Sequence, residues 1–340
     1  MAWYENVTIK DARRSALRAA LVGACALVLA TGAGCAATPT GSAGSGATGS
    51  ETTAAATAQA VTFTDARGKE VTVESPERVV ACMGSFAHIW ELAGGTLVGA
   101  SSDAAKDYSI SSQATDVGDF SSPDLEAIIA LKPDFVILTS GSGGRGGNTS
   151  QVELAQSLED AGITAACFKV TTFEDYLAML KTCTEITGRD DLYQENGQDV
   201  ADRVDAIKAK VPADTHPSVL AAVTYSGGTR VQGSDTAVGS IVAELGGVNV
   251  ADTDQSLLRE YSTEAVIKDN PDCILIVPMG NTDDAARKHL EASTAENPAW
   301  AELSAVRNNR YQALDPALFL HKPCERWDEA YQVIYDALYA

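Results

Sequence analysis

Two stretches far apart in the chain carry the same phrase, and that repetition constrains the fold more than any other feature. The first is Ser122–Leu138, SPDLEAIIALKPDFVIL; the second is Ser262–Ile276, STEAVIKDNPDCILI. In each, a helix-start residue leads, a glutamate (Glu126, Glu264) falls in the first turn, Pro-Asp comes seven residues after the glutamate, and an apolar run begins at once. A proline cannot continue a helix and presses the residue before it towards extended backbone. A short apolar run bounded by turns suits a strand buried on both faces. Each stretch therefore predicts a helix-turn-strand unit with a carboxylate near its helix N-terminus. A second matched phrase precedes each: Glu91-Leu92-Ala93-Gly94-Gly95 and Glu244-Leu245-Gly246-Gly247, both predicting a helix that closes on glycine. Such phrases are also ordinary grammar of α/β proteins. Two of them, in the same order in both halves, predict two similar lobes.

The chain has 340 residues, enough for two ordinary domains, and 45% of them are hydrophobic. Its formal net charge of -21 is the opposite of the basic footprint that nucleic-acid binding needs. It also argues against a peripheral protein held on anionic lipid by charge alone. Residues 1–34 read as an export signal: Lys10, Arg13, Arg14 and Arg18 form a basic start, and Ala19–Ala30 is an apolar run too short for a comfortable membrane span. Gly32-Ala33-Gly34-Cys35 then places small residues before a cysteine. That ending resembles the lipobox of bacterial lipoproteins, with Gly32 where leucine is usual. The resemblance implies a lipid on Cys35 and a domain held by that anchor on the outer face of the cytoplasmic membrane. Cys25 behind Val22-Gly23-Ala24 is a rival position, Arg13-Arg14 loosely resembles a twin-arginine signal, and an uncleaved anchor helix would leave the same domain outside. Residues 35–60, rich in Ala, Thr, Gly and Ser, cannot bury a core and read as a flexible tether.

From Val61 the character changes. Val61–Val73 alternates at period two around Ala66–Lys69 and predicts a β-hairpin. Pro76-Glu77-Arg78-Val79-Val80 after that hairpin, and Gly118-Asp119-Phe120 running into Leu125-Glu126 and Lys132-Pro133-Asp134-Phe135-Val136-Ile137, resemble bacterial periplasmic binding proteins of the iron-complex and cobalamin class. Asn297–Val306, with Pro298, Trp300, Leu303, Ala305 and Val306, is similar to a further phrase of that family. The resemblance covers about Val61 to Ala340 and is tighter before Pro217 than after it. It implies an α/β fold of two Rossmann-like lobes joined by one long backbone α-helix: an N-terminal lobe over 61–190, a linking helix over 191–211 and a C-terminal lobe over 212–340. Read from the residues alone, Val200, Val204, Ile207 and Val211 stripe one face of that helix, which fits packing wholly on one lobe equally well. Before it, Thr172-Phe173-Glu174-Asp175 opens a helix with a capping-box pattern and Gly188 closes it. In the second half Ser218–Tyr225 predicts a strand, Thr236–Leu245 a helix, Leu257–Tyr261 a loop, Tyr311–Leu314 the last strand and Trp327–Tyr339 a closing amphipathic helix.

The residues offer little for catalysis. There is no Gly-x-Ser-x-Gly elbow and no His-Glu-x-x-His, and His88, His216, His289 and His321 show no metal-pair spacing. Gly141-x-Gly143-x-x-Gly146 follows a strand, but no acidic residue ends the next strand, Ile163–Phe168, where a ribose ligand would be needed. It reads as a loop bordering a cleft. Cys82, Cys167 and Cys273 fall in or at the ends of apolar strands and read as buried thiols.

A binding site between lobes, on loops at strand carboxyl ends, nominates Met83, Ser85, Phe86, Arg145, Tyr225, Arg230, Arg259, Tyr261, His321 and Arg326. Arginine with aromatic rings suits a large anionic or planar metal chelate, and Tyr and His are ligands of haem iron. The resemblance implies that Glu126 and Glu264 dock, one per lobe, on arginines of an ABC permease dimer driven by ATPase subunits. The plainer reading is a favourable contact with the helix N-terminus, worth about 0.3–1 kcal/mol. The implied cargo is a ferric siderophore, haem or a corrinoid, with no intrinsic cofactor, no resident metal and no chemistry. Two other readings use the same two-lobed fold: an exported enzyme holding a cofactor in the cleft, and a lipoprotein sensor or adhesin without transport.

Overall fold

The apolar run behind each Pro-Asp becomes a central strand of one of two sheets. The computed structural model describes residues 60–141, 149–225, 227–279 and 298–340; the export signal, Cys35, the tether and Arg145 lie outside the described residues. A hairpin of β1 (Val61–Thr64) and β2 (Glu70–Val73) opens the fold. The first five-stranded sheet comprises β3 (Val79–Ala81), β4 (Gly99–Ala100), β5 (Thr115–Asp116), β6 (Phe135–Thr139) and β7 (Thr164–Phe168), all parallel in the order β5-β4-β3-β6-β7. The second comprises β8 (Ser218–Tyr225), β9 (Gly228–Val231), β10 (Val248–Asn249), β11 (Cys273–Pro278) and β12 (Tyr311–Ala313). Its order is β9-β8-β11-β12, with β10 also on β8 and only β9 antiparallel. The helices used below are α1 (Gly84–Leu92), α2 (Leu125–Ala130), α3 (Phe173–Thr187), α4 (Asp199–Lys208), α5 (Ala237–Glu244), α6 (Thr263–Asp269) and α7 (Trp327–Tyr339). Among the described residues no helix is long and apolar enough to cross a membrane.

The repeated phrase folds the same way twice. Asp124 caps α2 by accepting from the Glu126 and Ala127 N–H groups, and Ser262 caps α6 by accepting from that of Ala265. The residue before each proline is left-handed rather than extended: Lys132 has φ 49° and Asn270 has φ 45°. The proline ring closes the right-handed helical region to that residue, and a left-handed cap also turns the chain sharply into its strand. Both prolines are buried, and both aspartates clip the first strand of their sheet. The Asp134 carboxylate accepts from the N–H groups of Glu77 (2.8 Å) and Arg78 (2.9 Å). That of Asp272 accepts from the N–H (2.9 Å) and hydroxyl (2.8 Å) of Ser218. The second phrase repeats as well, with Gly94 at φ 84° and Gly246 at φ 75° after α1 and α5.

Alternation along the central strands divides the apolar side chains into three cores. Val80, Val136 and Leu138 belong to a core on the outer face of the first sheet, and Leu220, Ala222, Ile274 and Ile276 to one on the outer face of the second. The opposite faces, Val79, Ala81, Phe135 and Ile137 in one sheet and Val219, Ala221, Val223, Cys273, Leu275 and Val277 in the other, belong to a single core that continues through α3, α4 and α7. The described residues from 60 onwards belong to one compact unit for this reason.

The link between the sheets differs from a straight helix. Asp190–Tyr193 leads through a π turn, Gln194–Gln198, into α4. The wider turn brings the Asn196 carbonyl to the Tyr176 hydroxyl (2.7 Å) and the Asn196 amide to the Leu92 carbonyl (3.0 Å), tying the link to α3 and α1. The last helix, α7, returns across the same seam. Phe173 of α3 packs on Trp327 and Tyr331 of α7 with ring centroids 5.8 and 6.0 Å apart, and Arg203 of α4 pairs with Asp328 at 2.6 Å.

A core shared by both sheets predicts one cooperative unfolding transition. Trp327→Ala should lower stability by about 3–5 kcal/mol while tryptophan fluorescence and far-ultraviolet circular dichroism still report coincident denaturation curves. Two separated transitions in either protein would show that the sheets unfold independently.

Candidate functional site

In each sheet the chain winds outwards on one side of the first strand and then returns on the other. The reversal falls between β3 and β6 in the first sheet and between β8 and β11 in the second. Open α/β sheets leave a crevice at the carboxyl ends of such strand pairs. At the first, Met83 follows β3 in extended backbone (φ -150°, ψ 131°) and is half-buried against the shared core. The chain enters α1 directly behind it. Ser85 and Phe86, nominated above as ligand contacts, therefore turn inward and are fully buried, with Phe86 edge-on to Phe168 at 6.4 Å. They support the site rather than line it. At the second reversal stand Tyr225, half-buried at the end of β8, and Met279, 40% exposed. The Met279 N–H donates to the Thr224 carbonyl at 2.7 Å, so the β8–β11 ladder extends to it. Met279 was not among the nominated residues. No motif in the sequence marks it; the register of β8 and β11 does.

The two carboxyl edges meet through a polar clasp. His88 of α1 pairs with Glu325 (Nε2 to Oε2, 3.0 Å), Tyr108 lies between the His88 and His321 rings at 5.9 and 6.1 Å, and the Lys322 N–H donates to the Tyr108 hydroxyl at 2.9 Å. The Cys324 thiol faces the Ser85 carbonyl. Burial pushes the Tyr108 phenol up and the Lys322 ammonium down. Burial also works to raise the Glu325 carboxyl, but the hydrogen bond and charge of His88 outweigh it and hold that carboxyl below its ordinary range. Of this group only His321 was nominated from the sequence.

Arg230 is exposed on β9, and Arg326 pairs with Glu329 at 2.9 Å. Arg259 and Tyr261 line a hollow of about 630 Å³ together with Ser256, Glu260, Ser262, Thr263 and Glu264. The stretch expected as a loop there is a short helix over Ser256–Arg259. Glu126 and Glu264 are both exposed in the first turns of α2 and α6, with the exposed aliphatic side chains Ile129 and Leu258 nearby in sequence. Cys82, Cys167, Cys183, Cys273 and Cys324 are free and buried, and burial pushes the Cys183 and Cys273 thiols up to about 12. Among the described residues no cluster of three or more His, Cys, Asp or Glu is arranged to hold a metal.

The model of the family described as periplasmic binding protein matches residues 79–318, both sheets included. The chain belongs to the periplasmic binding protein family. Among its relatives, the high-affinity haem uptake system protein IsdE of Staphylococcus aureus is 24% identical over 229 residues, which cover 66% of this chain and 74% of that one. An ABC transporter substrate-binding protein of Listeria monocytogenes superposes with a TM-score of 0.62 at 25% identity, over 78% of this chain and 99% of the other. The periplasmic vitamin B12 binding protein BtuF of Vibrio cholerae superposes with a TM-score of 0.61 at 20% identity, over 78% and 97%. In this periplasmic binding protein each sheet has a winding reversal, and segments that follow strands of the two sheets meet in the clasp.

The clasp has a pH signature. The folded-state pKa of Glu325 lies below its ordinary value of 4.5. Its contribution is therefore fully present above that value and is lost as pH falls through the depressed one. The difference in thermal midpoint between wild type and Glu325→Gln should be present near neutral pH and close on acidification. A difference constant down to about pH 3 would contradict the pairing.

Proposed function

We propose that this protein is the solute-binding component of an ABC importer. It captures a metal chelate (a ferric siderophore, haem or a corrinoid) between its two sheets and hands it to a permease dimer coupled to ATPase subunits. The observation that carries the reading is the family match across two sheets, each with a winding reversal, joined by the clasp between segments that follow their strands. Relatives that include a haem uptake protein and a vitamin B12 binding protein support a metal macrocycle or chelate as cargo. On this reading the protein performs no chemistry. Cys35 carries a lipid, residues 35–60 are the tether, and the domain works on the outer face of the cytoplasmic membrane. The lobes divide at the linking helix, 61–190 from 212–340, and the shared core limits closure to a small angle.

Glu126 and Glu264 are the docking handles. In support, they occupy equivalent first turns, both are exposed, and both stand at the start of the same capped helix-turn-strand unit. Charge-assisted contacts of exposed carboxylates suit an encounter that forms and releases in each cycle.

Titration of the purified chain with haemin, cyanocobalamin and a ferric catecholate, followed by tryptophan fluorescence, should give saturable binding of one of them at a Kd of about 1 μM or tighter. In cells, the double variant Glu126→Lys, Glu264→Lys should lose uptake of that compound while its affinity changes less than about twofold. Normal uptake by the double variant would remove the docking assignment, and binding of none of the three would remove the cargo class.

A further inference from the structure

We infer that Gln151 is a positioning residue for import: its carboxamide props open the crevice at the first winding reversal and ties it to the turn that leads to Glu126. The inference rests on the importer reading and says how one end of the cargo site and one docking handle are held together.

In the first sheet Ala81 stands beside Ile137, and the Cys82 N–H donates to the Ile137 carbonyl at 2.9 Å. A parallel ladder continues by joining the carbonyl of that residue to the N–H two positions further along the partner strand, here Cys82 to Thr139. In place of that bond the Gln151 carboxamide stands between the two strands. Its Nε2 donates to the Cys82 carbonyl and its Oε1 accepts from the Thr139 N–H, both at 2.9 Å. At the equivalent step of the second sheet the ladder bond itself forms: the Met279 N–H donates directly to the Thr224 carbonyl at 2.7 Å. One reversal is wedged apart by a side chain and the other is zipped shut.

The wedge also reaches the docking side. The other Nε2 hydrogen goes to the Phe120 carbonyl at 2.5 Å. Phe120 sits in the turn of a small hairpin, Gly118–Asp119 with Ser122–Pro123. The exit of that hairpin is pinned by the Asp124 N–H on the Val117 carbonyl at 2.8 Å. Asp124 caps α2, and Glu126 is the second residue of that helix. Gln151, from the first turn of the helix Thr149–Asp160, thus holds the end of β3 just before Met83, the end of β6, and the turn before Glu126. The residue is 0% exposed, and both amide hydrogens and the amide oxygen are used. Buried backbone groups need partners, so none of the three segments can shift without breaking a bond to the same amide. Cargo seated at Met83 loads the Cys82 carbonyl, and the amide passes that load to the Phe120 turn.

The test is amide hydrogen exchange of the full chain with and without haemin, cyanocobalamin or a ferric catecholate, in the wild type, Gln151→Met and Gln151→Glu. Methionine keeps the length and loses all three hydrogen bonds; glutamate keeps the shape and the acceptor for Thr139 but, as a carboxylate, has no donor for Cys82 and Phe120. In the wild type the compound that binds should slow exchange at residues 83–88 and, by roughly fivefold or more, at 118–127. In each variant whose circular dichroism matches the wild type, slowing at 83–88 should persist while that at 118–127 falls below about twofold. Uptake in cells should then drop more than cargo affinity does. A side chain with a structural role alone would leave the cargo-dependent slowing at 118–127 intact in the variants, and that result would overturn the inference. Wild-type slowing at 83–88 with none at 118–127 would overturn it without any variant and leave the importer reading in place. Failure of all three compounds to bind the wild type would instead remove the cargo class, and the inference with it.

Discussion

The interaction on which the rest of the structure depends is the packing of two sheets onto one core. The inward faces of β3, β6, β8 and β11 do not close two separate domains; they meet a common layer of α3, α4 and α7. Phe173, Trp327 and Tyr331 form its centre, and fully burying side chains of that size contributes roughly 1.5–3 kcal/mol each. Opening the seam by a large angle would expose these rings, so both sheets keep a nearly fixed relation. The facing carboxyl edges inherit that relation. A binding site built on them is pre-organised, which limits the ordering cost of capture.

Much of this was legible in the sequence because it rests on local signals. The helix-turn-strand phrase, the glycine caps at Gly94 and Gly246, the Thr172–Asp175 capping box and the closing helix Trp327–Tyr339 are all set by residues within a few positions of one another. The two aspartates that clip β3 and β8 were visible as part of the repeated Pro-Asp, although their partners were not. The left-handed residues before Pro133 and Pro271 escaped a rule that weighs only the proline clash and not the need to turn the chain.

The site was less legible. Ser85 and Phe86 looked like loop residues beyond a strand, but a helix beginning at Gly84 rotates them into the core. His88 and Glu325 lie 237 positions apart, and no spacing rule joins them. Tyr108 gains its meaning only from the ring stack between His88 and His321. A single methionine carries no motif, so Met279 emerged only when the register of β11 showed which face it continues. Arg259 and Tyr261 share a hollow with Glu264, a neighbourhood that the spacing of the residues does not show.

The proposed function draws on geometry in two places. One is the pair of strand ends at the winding reversals, where Met83 and Tyr225 are half-buried and Met279 is exposed. The other is the pair of capped first turns, where like carboxylates project from equivalent helices. The central claim is that cargo lies between the two winding reversals and touches both sheets at once. Amide hydrogen exchange of the full chain with and without haemin tests this most directly. The account predicts slowed exchange at residues 83–88 and at 223–225 and 277–279 together. Protection confined to one sheet, or to the hollow beside Glu264, would contradict it.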